Sequence, residues 1–326
     1  MSDGDELKNE FAWSWSRHRT FYECPRKLYW QCYGSWMGWD PAAPPNAALA
    51  YRLKKIRSVA MLVGEVFHEV LAEVLARRPL APQPVPAAQL RIDMERRLLK
   101  RIAESRNRDW QRYKNPKKYS ILFEDYYGPG VDDALREQAL ADVRSCADGF
   151  AKSVYGRRAF AAPGERLTFI DRREFEGMRI LVDGLTVFAC PDLVVADAGG
   201  KTHIVDWKTG RFEKAEPAQL GVYALFVSEK FGLPIAEMTA HLVYVRTGGA
   251  EPHADLRPGV DLARRMMETY VSDVRGRLTD APANVAGDVE LFPMTTDLRK
   301  CRRCNFRELC GRADAPAQAP ETGFDA

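Results

Sequence analysis

The stretch that most constrains this chain is Ile204-Val205-Asp206-Trp207-Lys208-Thr209-Gly210, taken with Pro191-Asp192 before it. Ile204-Val205 with Trp207 predicts a buried strand, which Thr209-Gly210 ends. Side chains alternate along a strand, so Asp206 and Lys208 share one face and Trp207 takes the other. The apolar run from Leu185 to Val195 predicts a second strand, and Asp197-Ala198-Gly199-Gly200-Lys201 is a turn signal between the two. Centred on Gly199, such a hairpin sets position 192 opposite position 206. A two-residue turn at Gly199-Gly200 would shift the register by one and separate them. Opposed carboxylates repel, which is most easily tolerated around a hard divalent cation. A surface hairpin with Lys208 paired to one aspartate fits the spacing equally well.

Length and composition narrow the classes. With 326 residues, 29% charged and 10% aromatic, the chain can bury a large core as one big domain or two small ones. Its net charge of +3 is nearly balanced, so any affinity for nucleic acid must come from local patches. Residues 1 to 9 are polar and acidic and lack a signal peptide's apolar segment. No apolar run approaches membrane-spanning length, so a cytoplasmic protein without a membrane partner is expected. In that compartment seven cysteines read as thiols or metal ligands rather than disulfides.

Five of the seven tryptophans (Trp13, Trp15, Trp30, Trp36, Trp39) fall in the first forty residues. Most read as core, with one or two as candidates for stacking on bases. Ser14 or Ser16 can cap a helix that runs toward Cys24-Pro25 and resumes through Tyr33. Residues 41–50 read as a loop. A helix is predicted from Ala60 to Arg77, with Phe67, Val70, Leu71, Val74 and Leu75 as its apolar stripe and His68 at the stripe's edge. Pro79 to Pro86 breaks the chain. Residues 91–118 then carry eleven Lys/Arg against four acids, a local net of +7, with Trp110, Tyr113 and Tyr119 interleaved. This segment is either a solvated helix face or an arm that contacts phosphates. A further helix is expected from Asp132 to Tyr155.

From Arg166 the pattern turns to period two, predicting strands over Leu167 to Glu176 and Arg179 to Val182. Pro217 opens a helix that sets Gln219 and Tyr223 on one face at i and i+4. His241 to Val245 reads as a strand and Asp261 to Leu278 as an amphipathic helix. Residues 313–326 form an Ala/Pro-rich tail expected to be disordered.

The whole set of motifs resembles the PD-(D/E)XK nuclease superfamily, and the Asp-aromatic-Lys-Thr-Gly form is similar to its RecB-like branch. Gly64-x-x-x-His68, Pro191-Asp192, Asp206-Trp207-Lys208 and Gln219-x-x-x-Tyr223 stand in the order of that branch. Asp206 replaces the glutamate of the superfamily name. The resemblance implies an α/β fold: a restriction-endonuclease-like core with a central mixed sheet flanked by helices. It implies one nuclease domain over residues 1–312, with catalytic core at 60–78 and 165–278 and a helical insertion at 80–160. Asp192, Asp206 and His68 would hold Mg²⁺ or Mn²⁺, Lys208 would orient the attacking water, and Gln219 and Tyr223 would position DNA or the lysine.

Cys24 in the segment 13–40 and Cys301-x-x-Cys304-x5-Cys310 in the segment 298–312 resemble the [4Fe–4S] staple of the AddB nuclease domain and of CRISPR-associated RecB-like exonucleases. Four thiolates suit iron–sulfur or zinc, and spacing alone does not choose. Cys32, Cys146 and Cys190 read as buried thiols. The implied function is a metal-dependent exonuclease acting on single-stranded DNA or DNA ends in repair, recombination or CRISPR adaptation. Since no P-loop is present, unwinding would need a helicase partner, and CRISPR adaptation proteins are further candidate partners. The alternative is a DNA-binding or scaffold subunit of a larger nucleic-acid-processing complex.

Overall fold

The computed structural model describes residues 7–77, 81–112, 119–163, 166–170, 175–210 and 216–312. Lys114, Lys117, Lys118 and Tyr113 of the basic segment, and the tail 313–326, lie outside the described residues. Two compact units emerge, each assembled from discontinuous stretches. Of the described residues, one unit takes those within 7–56, 183–188 and 265–312, and the other those within 57–182 and 189–264. No described helix is long and apolar enough to cross a membrane.

The larger unit is a mixed α/β layer structure. Its labelled helices are α1 (Val59–Arg77), α2 (Ala87–Arg106), α3 (Asp133–Lys152), α4 (Val154–Ala161) and α5 (Pro217–Phe231). Its labelled strands are β1 (Leu167–Ile170), β2 (Leu193–Ala196), β3 (Thr202–Lys208), β4 (Met238–Tyr244) and β5 (Gly249–His253). They form one five-stranded sheet in the order β5-β4-β3-β2-β1. The β3–β4 pair is parallel and the others are antiparallel. The parallel pair requires a crossover, and α5 supplies it.

Val205 and Trp207 project toward α1 and α3, where Trp207 meets Phe150 edge-on at 5.2 Å and Phe150 meets Phe67 at 6.2 Å. Burial of these rings with Val63, Val66, Val70 and Leu71 makes the main core. Helix α3 seats closely because Gly149 carries no side chain: a Cβ there would stand 1.4 Å from the Val245 carbonyl oxygen.

Several elements differ from expectation. Residues 185–195 do not run as one strand. Leu185–Phe188 pairs in parallel with Ala12–Ser14 within the smaller unit, and β2 starts only at Leu193. Pro191, which has no N–H to donate to a ladder, lies in the break. The expected helix 132–155 stops at Lys152, because Ser153 leaves helical geometry and caps α4 by accepting from the Gly156 N–H at 2.8 Å. The loop expected at 41–50 gives way to a helix, Pro45–Leu53, that begins with proline at its first turn. Phe175–Met178 is a short 3₁₀ turn instead of strand. The helix expected at 261–278 spans Arg257–Arg275, and Leu278 opens a short strand.

The basic segment breaks at Asn107-Arg108, where Arg108 takes φ +52°. Its arginines are engaged locally. Arg101 reaches Glu69 at 2.8 Å and Glu65 at 3.3 Å on α1, and Arg97 reaches Glu73 at 2.8 Å. From α3, Arg144 reaches back to Glu95 on α2 at 2.8 Å. The outcome is a helix-to-helix ion-pair ladder, with Arg96, Lys100 and Arg106 left on the exposed side. Arg101→Glu would set a carboxylate between two others. It is expected to lower stability by about 1–2 kcal/mol, read as a fall in the urea midpoint that shrinks with added salt.

A second polar device crosses the same unit. The Tyr155 hydroxyl lies 2.9 Å from both ring nitrogens of His241, His241 Nε2 lies 2.9 Å from His203 Nδ1, and His203 Nε2 lies 3.1 Å from Asp197 Oδ2. One tautomer set links the four groups: Tyr155 O–H donates to His241 Nδ1, His241 Nε2–H to His203 Nδ1, and His203 Nε2–H to Asp197. His241 is then neutral. Burial, and after it the neighbouring His203, pulls the His241 pKa from 6.5 down to about 3. A folded pKa below the unfolded one means stability that is complete above about pH 6.5 and is lost as pH falls toward 3. Between pH 7 and pH 5 the urea midpoint should fall by the equivalent of about 1–2 kcal/mol, and by less in His241→Gln.

Candidate active site

The site lies where β2, β3, α1 and α5 meet in the larger unit. The hairpin register sets it up. Leu193 pairs with Val205, Val194 with Ile204, Val195 with His203 and Ala196 with Thr202. The regular pairing, in the register that a turn centred on Gly199 requires, ends at Leu193 and Val205, one step short of Asp192 and Asp206. The Asp192 N–H donates to the Val205 carbonyl at 3.0 Å, which anchors the residue although it lies outside the regular strand.

Two contacts hold the Asp192 carboxylate. Its Oδ2 accepts from the Trp207 backbone N–H at 2.7 Å, and its Oδ1 lies 3.0 Å from His68 Nδ1. Burial acts to raise its pKa, but the His68 imidazole and the Trp207 N–H outweigh burial and hold it below the ordinary carboxylate range. Asp206 behaves oppositely. Burial, reinforced by the charge of Asp192, raises its pKa although Lys208 opposes this. Lys208 Nζ lies 2.5 Å from Asp206 Oδ2, but at an angle that leaves this buried oxygen without a well-formed hydrogen bond. Burial would lower the lysine's pKa; the Asp206 carboxylate overcomes that and raises it. Two adjacent carboxylates thus have their affinities for protons pushed apart, the signature of a functional site.

Helix α5 completes the group. Gln219 Nε2 donates to the Tyr223 hydroxyl at 3.0 Å, and that hydroxyl donates to Asp206 Oδ1 at 3.5 Å. Burial and the facing Asp206 hold the phenol well above its ordinary pKa, so Tyr223 stays a neutral donor. On α1, Gly64 lies one turn before His68. A Cβ at Gly64 would stand 3.1 Å from Thr209 Oγ1, so a small residue there lets the helix approach the end of β3. All the sequence-predicted residues, His68, Asp192, Asp206, Lys208, Gln219 and Tyr223, therefore converge. The Trp207 N–H was not anticipated, because a backbone donor leaves no trace in side-chain pattern.

A family model describing the PD-(D/E)XK nuclease superfamily matches residues 12–311. The chain belongs to the PD-(D/E)XK nuclease superfamily. The mixed sheet with its flanking helices agrees with that fold. Nucleases of this superfamily act on DNA and generally use divalent metals such as Mg²⁺. A search of curated proteins finds no match.

The structure bears on how this PD-(D/E)XK protein could take a metal. Among the described residues, no group of three or more His, Cys, Asp and Glu side chains stands ready-made to hold an ion. His68 is bonded to Asp192, and Lys208 faces Asp206. The donor set still suits a hard cation. Two carboxylates act on each other's charge, and Asp206 Oδ2 is buried with no hydrogen-bond partner beyond its ion pair with Lys208.

In the smaller unit, Cys24, Cys301, Cys304 and Cys310 line a single cavity. The Thr295 N–H donates to Cys24 Sγ at 3.4 Å, and Arg312 Nη1 donates to Cys301 Sγ at 2.8 Å. Burial pushes the Cys304 thiol up to about 11 and raises Cys310 as well. The other thiols lie elsewhere: Cys146 is buried in the core of the larger unit, and Cys32 and Cys190 are half-buried.

Proposed function

We propose that this protein is a Mg²⁺- or Mn²⁺-dependent deoxyribonuclease of the RecB-like branch, an exonuclease acting on single-stranded DNA or DNA ends. The observation that carries the reading is the gathering of Asp192 and Asp206 at the end of one hairpin, with His68 on Asp192 and Lys208 on Asp206. Asp192, Asp206 and His68 would hold the metal. When bound, it would acidify a water and offset charge on the scissile phosphate. Asp192 is kept ionised by His68 and the Trp207 N–H, so it offers a charged oxygen at neutral pH. Released from Asp206, the Lys208 ammonium would orient the attacking water or neutralise the phosphate. Tyr223, fixed by Gln219, holds Asp206 in orientation. The exposed Arg96, Lys100 and Arg106 are the part of the basic helix that would follow a DNA backbone.

The convergence of Cys24, Cys301, Cys304 and Cys310 on one cavity supports a metal staple, of which a [4Fe–4S] cluster is the form implied by the RecB-like resemblance. Cleavage of end-labelled single- and double-stranded DNA, with Mg²⁺ or Mn²⁺ and with EDTA, tests the reading. Metal-dependent shortening from an end supports it. DNA binding without cleavage under every metal condition would leave the scaffold role instead.

A further inference from the structure

A second feature of the smaller unit points to unpaired nucleotides. After the π-helical turn Trp30–Gly34, the chain folds back through Trp36-Met37-Gly38-Trp39 onto the helix Pro45–Leu53. This loop is fixed, not slack. Its backbone bonds to itself, Trp36 N–H to Tyr33 and Asp40 N–H to Met37, both at 2.9 Å. Met37 takes φ +56°, unusual for a side chain of its size. Gly38 presses on the helix so closely that a Cβ would stand 2.2 Å from the Ala47 carbonyl oxygen. What these constraints hold in place is a set of rings. Trp36 and Trp39 meet edge-on at 5.2 Å, Trp39 meets Tyr51 at 5.6 Å, and Lys55 Nζ lies 5.2 Å from the Tyr51 ring centre.

Tyr51 is buried at the base, whereas Trp39 is 40% exposed at the top. An indole edge exposed to this degree on a fixed loop can take a flat partner. The charge along this stretch of chain, with Asp40 beside Trp39 as its single acid, bears on the partner. Between Glu23 and Glu65 the only acidic residue is Asp40, while Arg52, Lys54 and Lys55 follow Tyr51 directly. That asymmetry favours a polyanion over a neutral sugar or an apolar peptide.

We propose that Trp39, backed by Trp36 and Tyr51, stacks against an unpaired base of single-stranded DNA while Arg52, Lys54 and Lys55 face its phosphates. Stacking with a basic flank is how single strands are held without sequence preference. The inference rests on DNA being the substrate.

The test compares two fluorescent oligonucleotides of equal length and charge, oligo(dT) and a fully abasic strand, by anisotropy in EDTA so that nothing is cut. The wild type should bind oligo(dT) more tightly. Trp39→Ala should weaken oligo(dT) binding about tenfold and leave the abasic strand unchanged, as the loss of one stacked base predicts. Trp39→Phe should restore most of the loss, which separates stacking from folding. Arg52→Glu with Lys55→Glu should weaken both strands and lower the salt slope. Equal wild-type affinity for the two strands, or a Trp39→Ala variant that binds oligo(dT) like the wild type, overturns the proposal. Because binding is read without metal, failure of cleavage alone would sink only the nuclease reading.

Discussion

Asp206→Asn is expected to reduce metal-dependent DNA cleavage by on the order of 10³-fold or more while the protein stays folded. The argument comes from the opposed directions of the two carboxylates. Asp206 has its pKa raised by burial beside Asp192, so its charge is a cost to the folded state at neutral pH. An amide of the same size removes that charge without opening a cavity. The thermal midpoint should therefore hold or rise as activity disappears, the trade expected where a site is built for chemistry at the expense of stability. Metal should separate the two proteins further. Mg²⁺ or Mn²⁺ should raise the melting temperature of the wild type by mass action and leave that of Asp206→Asn nearly unmoved. Lys208→Met should also abolish cleavage but should lower stability, because it strips the buried Asp206 of its cation. Full activity of Asp206→Asn would remove the active site proposed here. A joint fall of activity and midpoint would assign the loss to folding.

Much of this site was legible because its determinants are local. The register follows from a turn centred on Gly199, and a period-two strand then fixes which face Asp206 and Lys208 share. Gln219 and Tyr223 needed only helical spacing. Gly64 and His68 are far from the hairpin in sequence, yet the spacing of one helical turn let the family resemblance place them.

What the sequence did not reveal depends on tertiary competition. Leu185–Phe188 has the composition of the strand that follows it, but it pairs in parallel with Ala12–Ser14, far away in sequence, and nothing local encodes that pairing. The basic run over 91–118 reads equally as a solvated face or a phosphate-binding arm, and neither reading foresees Glu65, Glu69 and Glu73 opposite Arg97 and Arg101. A charge count along one helix does not reveal which face meets an acidic neighbour. The Tyr155–His241–His203–Asp197 chain joins one hairpin, which holds Asp197 and His203, to two residues far from it in sequence, and no local pattern marks that meeting.

Serine at Cys24, Cys301, Cys304 or Cys310 should each give a colourless protein of poor solubility, whereas alanine at Cys32, Cys146 or Cys190 should not. The first four thiols share a cavity, and the other three do not. Nearly the whole chain lies between Cys24 and Cys301, so bringing them together in an unfolded chain is entropically expensive. A metal centre that binds only the assembled set contributes its binding free energy to folding. Burial holds Cys304 and Cys310 as thiols in the metal-free protein, so loading must expel protons and should be favoured as pH rises. Arg312, which donates to Cys301 Sγ, provides a positive partner for the thiolate that results. Metal analysis of anaerobically purified protein decides among the forms of the staple. About four irons per chain with acid-labile sulfide and absorbance near ~400 nm supports the cluster. One zinc without iron would keep the staple and change its chemistry. Wild-type protein that is soluble, cooperative in unfolding and free of both metals would show that packing of the smaller unit suffices without a staple.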